Sequence, residues 1–399
     1  MTRKRKRVQT ESLKIVHVLR APIGGLFRHV VDLATAQVAL GHQVGLFFDS
    51  RARDARVDAA LSRVTGGFAL GVEGAAIARN PGLNDVFAFA RFRAFLSRVK
   101  PDVIHGHGAK GGFYARFARW TLPQGAPIVA YTPHGGSFNH HIGRPIHRFY
   151  MAVERMLGPA TDLYLFESAY IGAACKRYIG AGAGLRRVVC NGLNDKEFEL
   201  LQTDADAADL VYVGELRAAK GVDTLIDALP RMKPRNGRPP RLVLVGSGPA
   251  EAEFRAQAER LGVLSSIEFL GPRSAREAFR RGRVFVAPSR QESLPYVVLE
   301  AAAAAVPIVA TDVGGVPEIF GPYRDRLGPC NDVADLTRRL DAALDADPRA
   351  QGDEAKALRE YVRTHFSLGG MRDAVLAGYR DALQRRRAPP LVLPLPKRS

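Results

Sequence analysis

Two cations in the second half of the chain stand where a diphosphate could be held. Arg217 and Lys220 follow a short apolar run, residues 210–213, and precede a segment with helical periodicity. Fixed cations beside the amides of a helix start form a binding site for phosphate groups. The motif by itself is equally compatible with a solvated cationic loop, so both interpretations stay open at this point.

Two carboxylates further along the chain flank the start of an amphipathic helix. Glu292 follows the strand candidate 284–287, and Glu300 falls two turns inside the helix. Carboxylates in these positions can accept hydrogen bonds from sugar hydroxyls at two depths of one pocket.

A glycine pair follows the last strand candidate, residues 308–310. Gly314 and Gly315 come just before a helix whose start is marked by Pro317. Such a turn exposes backbone N–H groups to an anion. Each of the three segments could be structural, but their order along one chain favours a shared binding site.

These segments need a scaffold that brings the ends of several strands together. Short apolar runs alternate with longer helical segments, as in parallel sheets covered by helices on both faces. The polar stretch 191–208 separates two groups of runs. The sequence therefore predicts an α/β protein with two doubly wound domains and a ligand between the carboxyl ends of their strands. The strand candidates are 14–19, 44–48, 103–105, 128–131, 163–166 and 188–190, then 210–213, 242–245, 267–270, 284–287 and 308–310.

The length of 399 residues and the hydrophobic fraction of 46% exclude a disordered basic protein. Three cysteines without a C-x-x-C pair predict a reducing compartment and no structural zinc. No apolar run approaches the ~20 residues of a membrane span, so we expect a cytoplasmic protein. The predicted parts are a basic flexible tail at 1–11, domains at 12–200 and 201–366, a helix at 367–386 that packs back on the first domain, and a Pro-rich basic tail at 387–399.

The formal net charge of +18 is distributed unevenly. The terminal segments 1–7 and 385–399 hold ten Lys and Arg and no acid, and residues 12–203 carry 23 basic against 13 acidic side chains. Residues 204–384 are close to neutral. We therefore expect the surplus to attach the protein to anionic lipid, each Lys or Arg near the surface contributing up to ~1 kcal/mol.

Taken together, the motifs resemble those of the retaining, nucleotide-sugar-dependent glycosyltransferases of family 4, which have the GT-B fold, and in particular the bacterial surface-polysaccharide type. The resemblance runs from about Lys14 to about Phe366. It implies two Rossmann-like domains facing across a cleft. The segments that carry it are Gly24-Gly25, His105-Gly-His107, His134-Gly135, Asn191-Gly192, G-E-L-x-x-x-K-G at 214–221, G-x-G-P at 246–249, E-x7-E at 292–300, and 314–318.

The resemblance also implies a role for each matching residue. Arg217 and Lys220 would neutralise the donor diphosphate in place of a metal, so neither a metal nor another cofactor is expected. His134 would stabilise the transition state beside the donor sugar, whose hydroxyls Glu292 would bind, while Glu300 would accept from the ribose. The implied catalytic residues are His134, Arg217, Lys220 and Glu292; the implied donor-binding residues are Gly24, Gly25, Arg217, Lys220, Glu292, Ser293, Leu294, Glu300, Gly314 and Gly315.

The resemblance implies transfer from a UDP- or GDP-sugar to a lipid-linked or polysaccharide-precursor acceptor, on the cytoplasmic face of a membrane. One alternative on the same fold is a nucleotide-sugar 2-epimerase. A second is a basic RNA-binding protein, which the near-neutral second domain and the absence of an aromatic-studded basic platform disfavour. We therefore expect no nucleic-acid partner.

Two further signals are interpreted as structural. Gly246 and Gly248 follow a strand candidate as in a dinucleotide fingerprint, but Glu251 replaces the third glycine, so a turn is predicted. His105 and His107 have no third ligand nearby in the sequence, so they are interpreted as cleft residues rather than metal ligands.

Overall fold

A computed structural model describes residues 11–64, 66–79, 82–123, 127–139, 145–235 and 237–387 of the chain. The first domain is built on a parallel sheet. Seven described strands form this sheet in the order β3-β2-β1-β4-β5-β6-β7. The strands are β1 Lys14–Val18, β2 Gln43–Asp49, β3 Gly71–Ala75, β4 Val103–His107, β5 Ile128–Thr132, β6 Leu163–Phe166 and β7 Leu185–Val188. The helices between them are α1 Gly24–Val38, α2 Ala55–Leu61, α3 Asn84–Val99, α4 Gly108–Thr121, α5 Pro145–Leu157 and α6 Ala169–Ile179.

The second domain repeats this plan on a smaller scale. Its described strands form a parallel sheet in the order β10-β9-β8-β11-β12. The strands are β8 Ala208–Val213, β9 Leu242–Val245, β10 Ile267–Gly271, β11 Gly282–Ala287 and β12 Ile308–Ala310. The helices of this domain are α7 Val222–Ala228, α8 Glu251–Arg260, α9 Ala275–Phe279, α10 Tyr296–Ala303, α11 Val316–Phe320, α12 Val333–Asp345 and α13 Pro348–His365, and the last described helix, α14 Leu368–Arg387, follows them.

Local chemistry explains several of these boundaries. Central strands are runs of Val, Ile and Leu buried on both faces, which suits a parallel sheet between helix layers. Ser168 caps α6 by accepting from the Ile171 N–H, and Asp332 caps α12 in the same way. Asp347 caps α13 by accepting from the N–H groups of Arg349 and Ala350.

Two strand predictions need correction. The strand expected at 188–190 lies three residues earlier, at β7, because this edge strand carries Arg186 and Arg187 and has no continuous apolar run. The strand β3 was not predicted, since its sequence Gly-Val-Glu-Gly-Ala holds two glycines and only a single large apolar residue. Both errors fall on the edges of the first sheet, where burial is lowest.

The chain crosses between the domains twice, and the two crossings hydrogen-bond to each other. The Leu193 N–H donates to Phe366 O at 2.8 Å, and the Leu368 N–H donates to Leu193 O at 2.9 Å. Helix α14 then packs on the first sheet, where Tyr379 and Leu376 are buried against residues such as Ile128. The first domain therefore includes the last described helix.

The basic tail predicted at 1–11 lies outside the described residues except for Glu11, and the tail at 387–399 lies outside them except for Arg387. Within the described part of the chain, no helix is both long and apolar enough to cross a bilayer.

Candidate active site

The predicted site residues gather where the strand order reverses in each sheet. In the second sheet β8 and β11 are neighbours although they are not consecutive strands, and β1 and β4 have the same relation in the first sheet. Loops that leave two such strands diverge and open a crevice at their carboxyl ends, the usual ligand position in doubly wound folds. Lys220 follows β8, Glu292 follows β11, and the glycine pair Gly24-Gly25 follows β1.

Lys220 and Glu292 are in direct contact at this crevice. The Lys220 ammonium donates to Glu292 Oε1 at 2.7 Å, and the Ser289 hydroxyl donates to the same oxygen at 2.7 Å. Both charged side chains are mostly buried, with 17% and 10% of their surface exposed. The structure thus brings together a cation and a carboxylate that are 72 residues apart.

Arg217 lies beside this pair but is more exposed. Its guanidinium pairs with Glu215 at 3.0 Å, and 47% of the side chain is exposed. The Tyr212 hydroxyl is under the electrostatic influence of both Glu292 and Arg217. Burial, together with Glu292, raises the pKa of that hydroxyl, so Tyr212 is neutral. Its hydroxyl donates a hydrogen bond to Glu215 O at 2.9 Å.

A second arginine that the sequence analysis missed fixes the Lys220 loop. The Arg290 guanidinium bonds both carboxylate oxygens of Asp223, at 2.7 and 2.6 Å, and also the Thr224 hydroxyl at 2.9 Å. The Arg290 N–H donates to Ala219 O at 2.9 Å. Through both the backbone and the side chain of Arg290, the loop after β11 therefore fixes the loop after β8.

Gly314 and Gly315 support the Glu292 loop from below. A Cβ on Gly314 would lie 1.8 Å from Glu292 O, and one on Gly315 would lie 2.0 Å from Ser293 O. Gly314 also has a φ of +59°, which glycine adopts without strain. Only glycines allow the loops after β11 and β12 to approach this closely. Leu294, next in the loop, is buried.

The glycines of the G-x-G-P segment have a comparable packing role. A Cβ on Gly246 would lie 1.9 Å from Gly214 O, and one on Gly248 would lie 2.3 Å from Leu216 O. The segment is therefore a turn pressed against the loop after β8, as the sequence analysis expected. Glu251 begins helix α8.

Glu300 contacts the other domain. Arg28 of α1 donates to Glu300 and to Glu197, and its guanidinium lies 4.3 Å from the ring centroid of Tyr296. Burial raises the pKa of the Glu300 carboxyl to about 7; Arg28 lowers it and Glu197 raises it. The sequence analysis assigned Glu300 to a ribose and did not find Arg28.

The glycine pair of the first domain faces the same surface. Gly24 begins α1 with a φ of +65°, and a Cβ on Gly25 would lie 3.2 Å from a ring carbon of Tyr296. A side chain at Gly25 would therefore close the gap between the two domains.

Comparison with known proteins agrees with this geometry. Residues 23–197 match the family model described as Glycosyltransferase Family 4, and residues 194–365 match the model for glycosyl transferases group 1. The glycogen synthase of Mycobacterium tuberculosis is 30% identical over 94% of this chain and 95% of its own length. The chain is a family 4 glycosyltransferase. The putative glycosyltransferase EpsD of Bacillus subtilis is also 30% identical, over 63% of this chain and 70% of its own.

Solved structures show the same architecture. Sucrose-phosphate synthase from Thermosynechococcus elongatus superimposes with a TM-score of 0.77, at 20% identity, over 94% of this chain and 100% of its own. Anabaena Alr3699/HepE, solved in complex with UDP-glucose, superimposes with a TM-score of 0.75, at 18% identity, over 92% of this chain and 100% of its own. The glycosyltransferase therefore has the GT-B fold expected from its motifs.

His134 of the glycosyltransferase lies in a strained loop that faces the cleft. It has a φ of +50°, and Gly135 and Gly136 after it also have positive φ values. The Gly135 N–H donates to Glu167 Oε1 at 2.5 Å, and the same carboxyl interacts with the His134 N–H. Glu167 thus anchors the loop that carries His134, and it was not found from the sequence.

Glu167 also lies near the second domain. The Ser293 side chain, in the loop that carries Glu292, lowers the pKa of the Glu167 carboxyl. Burial raises the pKa of Glu167 to about 7, although the amides of Gly135 and His134 lower it. On the next residues of the first domain, the N–H groups of Ala169 and Tyr170 donate to Glu318 of the second domain at 2.8 and 2.9 Å.

The interpretation of His105 and His107 needs correction, because other imidazoles do lie near them in space. His17 of β1 pairs in register with His105 of β4, and His17 Nδ1 lies 2.9 Å from His107 Nε2. His134 Nε2 lies 3.1 Å from His107 Nδ1, and the ring of His29 lies 4.7 Å from that of His134. These five histidines form one cluster on the first-domain side of the cleft.

The cluster is uncharged at neutral pH. Burial lowers the pKa of His17 and of His29 to about 4. Burial and the neighbouring imidazoles lower the pKa of His105, His107 and His134 well below its usual value. The first-domain wall of the cleft therefore presents neutral imidazoles, while the second-domain wall presents the Lys220–Glu292 pair.

Proposed function

We propose that this glycosyltransferase moves a sugar, with retention of anomeric configuration, from a UDP- or GDP-sugar to a lipid-linked or polysaccharide-precursor acceptor. The observation that carries the proposal is the contact between Lys220 and Glu292 at the reversal of strand order in the second sheet. A diphosphate needs a cation, and a sugar needs hydrogen-bond acceptors for its hydroxyls. Lys220 and Glu292 offer both functions side by side.

In the proposed reaction, Lys220 and Arg217 neutralise charge that develops on the diphosphate as the bond between C1 of the sugar and the phosphate oxygen breaks. No metal is needed at the phosphates for this step. The acceptor oxygen attacks C1 from the face that the diphosphate leaves, and a phosphate oxygen takes the acceptor's proton. Glu292 holds hydroxyls of the donor sugar, and the amides of Ser293 and Leu294 lie in the same loop.

Donor binding changes the partners of Glu300 in this proposal. In the structure its carboxyl accepts from Arg28 of the first domain. A ribose diol that donates to Glu300 would share or replace that contact, which leaves Arg28 with Glu197 and with Asp32 at 3.3 Å. Binding of the nucleotide by the second domain would thus change the contacts of Arg28 in the first domain.

Two observations support the proposal of a lipid-linked acceptor at a membrane: the excess of basic residues and one exposed apolar helix face. Helix α5 exposes Ile146, Phe149 and Met156 on one side, with Arg148 and Arg155 on the flank. Apolar side chains bordered by arginines suit the interface of an anionic bilayer. We propose peripheral binding to the cytoplasmic face of the inner membrane, by this surface and by the basic tails.

The experiment that tests the proposed donor is a thermal-shift screen of the full chain with UDP, GDP, ADP and CDP. A ligand that binds only the folded protein raises its melting temperature by mass action. We expect UDP or GDP to stabilise the wild type, and Lys220→Ala to lose that shift. Lys233→Ala, which removes an ammonium that is 69% exposed, is the matched control and should keep it. Stabilisation of Lys220→Ala equal to that of the wild type would contradict the site.

Product analysis then separates transfer from epimerisation. The assay uses the sugar conjugate of whichever nucleotide, UDP or GDP, stabilises the protein. A transferase turns over this donor at full rate only when an acceptor is present. A 2-epimerase would convert the sugar in buffer that holds no acceptor, and that result would overturn the proposed reaction while leaving the donor site intact.

A further inference from the structure

Three histidines of the cluster converge on one point. One ring nitrogen from each of His29, His107 and His134 lies within 4.8 Å of the other two. The three side chains come from α1, from the end of β4 and from the loop after β5. Three imidazoles with a fourth position open are the ligand set of a common type of zinc centre.

The hydrogen bonds around His29 leave one nitrogen ready to coordinate. Asn191 donates from Nδ2 to Leu294 O at 2.9 Å, which turns its Oδ1 towards His29. His29 Nδ1 lies 3.0 Å from that oxygen, so the proton is on Nδ1 and the lone pair is on Nε2. His29 Nε2 is buried and has no hydrogen-bond partner. A histidine that binds a metal through one ring nitrogen usually donates the N–H of the other to an acceptor, which fixes its tautomer and orientation.

A second chain of hydrogen bonds sets the tautomer of His107. His17 Nε2 lies 2.9 Å from Gln37 Oε1, an acceptor, so the proton of His17 is on Nε2 and its Nδ1 is an acceptor. His107 Nε2 lies 2.9 Å from that acceptor and therefore carries its proton. The lone pair of His107 is consequently on Nδ1, the nitrogen that faces His134.

His134 completes the set and gives access to it. Its Nε2 lies 3.1 Å from His107 Nδ1 and donates a proton there in the metal-free protein. When a cation binds, that proton moves to Nδ1 of His134, and Nε2 becomes a ligand. Unlike His29 and His107, His134 is only partly buried, so the fourth position faces the cleft.

We infer that His29, His107 and His134 form a binding site for one divalent transition-metal cation, such as Zn²⁺ or Co²⁺. An all-imidazole set suits these cations, whereas Mg²⁺ and Ca²⁺ prefer oxygen ligands. The site lies on the first-domain wall, apart from Arg217 and Lys220, and is additional to the proposed neutralisation of the diphosphate. Asn191 and His17 act as its supporting shell.

The test is direct measurement of cobalt binding by the full chain without a histidine tag. The protein is stripped with EDTA, titrated with Co²⁺ and desalted, and bound metal is counted by mass spectrometry. We expect one Co²⁺ per chain and the intense visible absorption of four-coordinate cobalt. His29→Ala should bind Co²⁺ more than about 100-fold more weakly, since loss of a supporting residue alone costs ~10–100-fold.

His365→Ala is the matched control. His365 lies on α13 at the surface, with Nδ1 2.8 Å from Tyr361 O, and its loss should leave cobalt binding unchanged. Absence of retained metal in the wild type would overturn the inference, and so would equal binding by wild type and His29→Ala. The wild-type titration does not depend on how any variant folds. Because none of these measurements uses the sugar donor, failure here is distinguishable from failure of the proposed reaction.

Discussion

Arg28 of the first domain and Glu300 of the second form an ion pair across the cleft. Arg28 also bonds Glu197 and Asp32, so one guanidinium balances three carboxylates that are each about one-fifth exposed. Although burial disfavours its charge, these acids raise the pKa of Arg28. A single cation therefore joins acids from both domains at this contact.

Replacing Arg28 should lower the free energy of unfolding of the protein. Arg28→Ala leaves Glu300, Glu197 and Asp32 close together without a cation, which we expect to cost about 2 kcal/mol, less than the ~3–5 kcal/mol for a fully buried pair. Urea unfolding at pH 7.5 measures the change. Arg363→Ala, which breaks an exposed pair with Glu360, should cost at most ~0.5 kcal/mol. Equal losses for both variants would show that the cross-domain cluster contributes no more than a surface pair.

Lys220 and Glu292 should act as a unit in turnover. Each of Lys220→Ala and Glu292→Ala removes one partner of the 2.7 Å contact and disturbs the other, so each should lower kcat/KM by ~10²-fold or more. The double variant should be clearly less impaired than the product of the two single effects. Fully multiplicative losses would mean that the two residues work independently. Steady-state assays with the identified donor give these values.

The glycine pair provides a sharper test of the loop geometry. Gly314→Ala forces a Cβ to within 1.8 Å of Glu292 O at a φ of +59°, so the Glu292 loop must move. A displacement of this kind should lower kcat/KM by ~10²-fold. Gly352→Ala is the control, since a Cβ there meets nothing within 4 Å inside α13. That variant should keep its activity and gain ~0.5–1 kcal/mol of stability. Retained activity in Gly314→Ala would contradict the assigned role.

Glu167 should make stability depend on pH with a predictable sign. Burial raises its pKa to about 7 in the folded protein, against ~4.3 when unfolded. Between these values the folded state holds more protons, so Glu167 lowers the free energy of unfolding as pH rises from about 4.5 to 7. Glu167→Gln removes this loss, and at pH 8 it should be more stable than the wild type by up to ~3 kcal/mol.

The difference between Glu167→Gln and wild type is the quantity to measure, because the buried histidines have the opposite effect. The pKa values of His17 and His29 are about 4 in the folded protein and about 6.5 when unfolded. These two histidines therefore lower the free energy of unfolding as pH falls below about 6.5. Urea unfolding from pH 5 to 8 should give curves that meet near pH 5 and separate upwards. Curves with a constant offset would show that Glu167 does not titrate in this range. Glu354→Gln, at an exposed carboxyl, should run parallel to wild type.

The basic tails should contribute to binding of anionic vesicles. A chain that lacks residues 1–10 and 388–399 loses seven Lys and Arg, each contributing up to ~1 kcal/mol near the surface. We expect weaker co-flotation with phosphatidylglycerol vesicles and a smaller dependence on salt. Phe149→Asp in the full chain tests the α5 surface separately. Undiminished flotation of the shortened chain would exclude the tails as the anchor.

Much of the central scaffold could be predicted from the sequence. Strands buried on both faces, such as β6 and β9, have continuous apolar runs, and their predicted bounds agree with the structure. The edge strands of the first sheet do not have this signal: β3 contains two glycines, and β7 contains two arginines. Periodicity reports burial, so it fails where a strand is only half covered.

The site was predicted one domain at a time. Motif order found Lys220 and Glu292, which follow neighbouring strands of one sheet. Residues that act across the cleft, such as Arg28 and Glu167, carry no local pattern, because their partners are far away in the chain. The histidine cluster did leave a trace: His17 and His105 interrupt two apolar strands at positions that pair in register. A polar residue inside a buried strand usually has a partner; His17 is paired with His107, and His105 with Tyr379 and Thr132.

The return of helix α14 to the first domain has a consequence for how the protein is made. Tyr379 fills the core beneath the first sheet, and its hydroxyl lies 2.7 Å from His105 Nδ1. Ribosomal synthesis runs from the amino terminus, so the first domain emerges with this face uncovered and waits for the whole second domain to be translated. His105 acquires this partner only when the last helix has been made. The first domain is thus completed only after α14 has been translated, and a product truncated before α14 would carry an unfinished cleft.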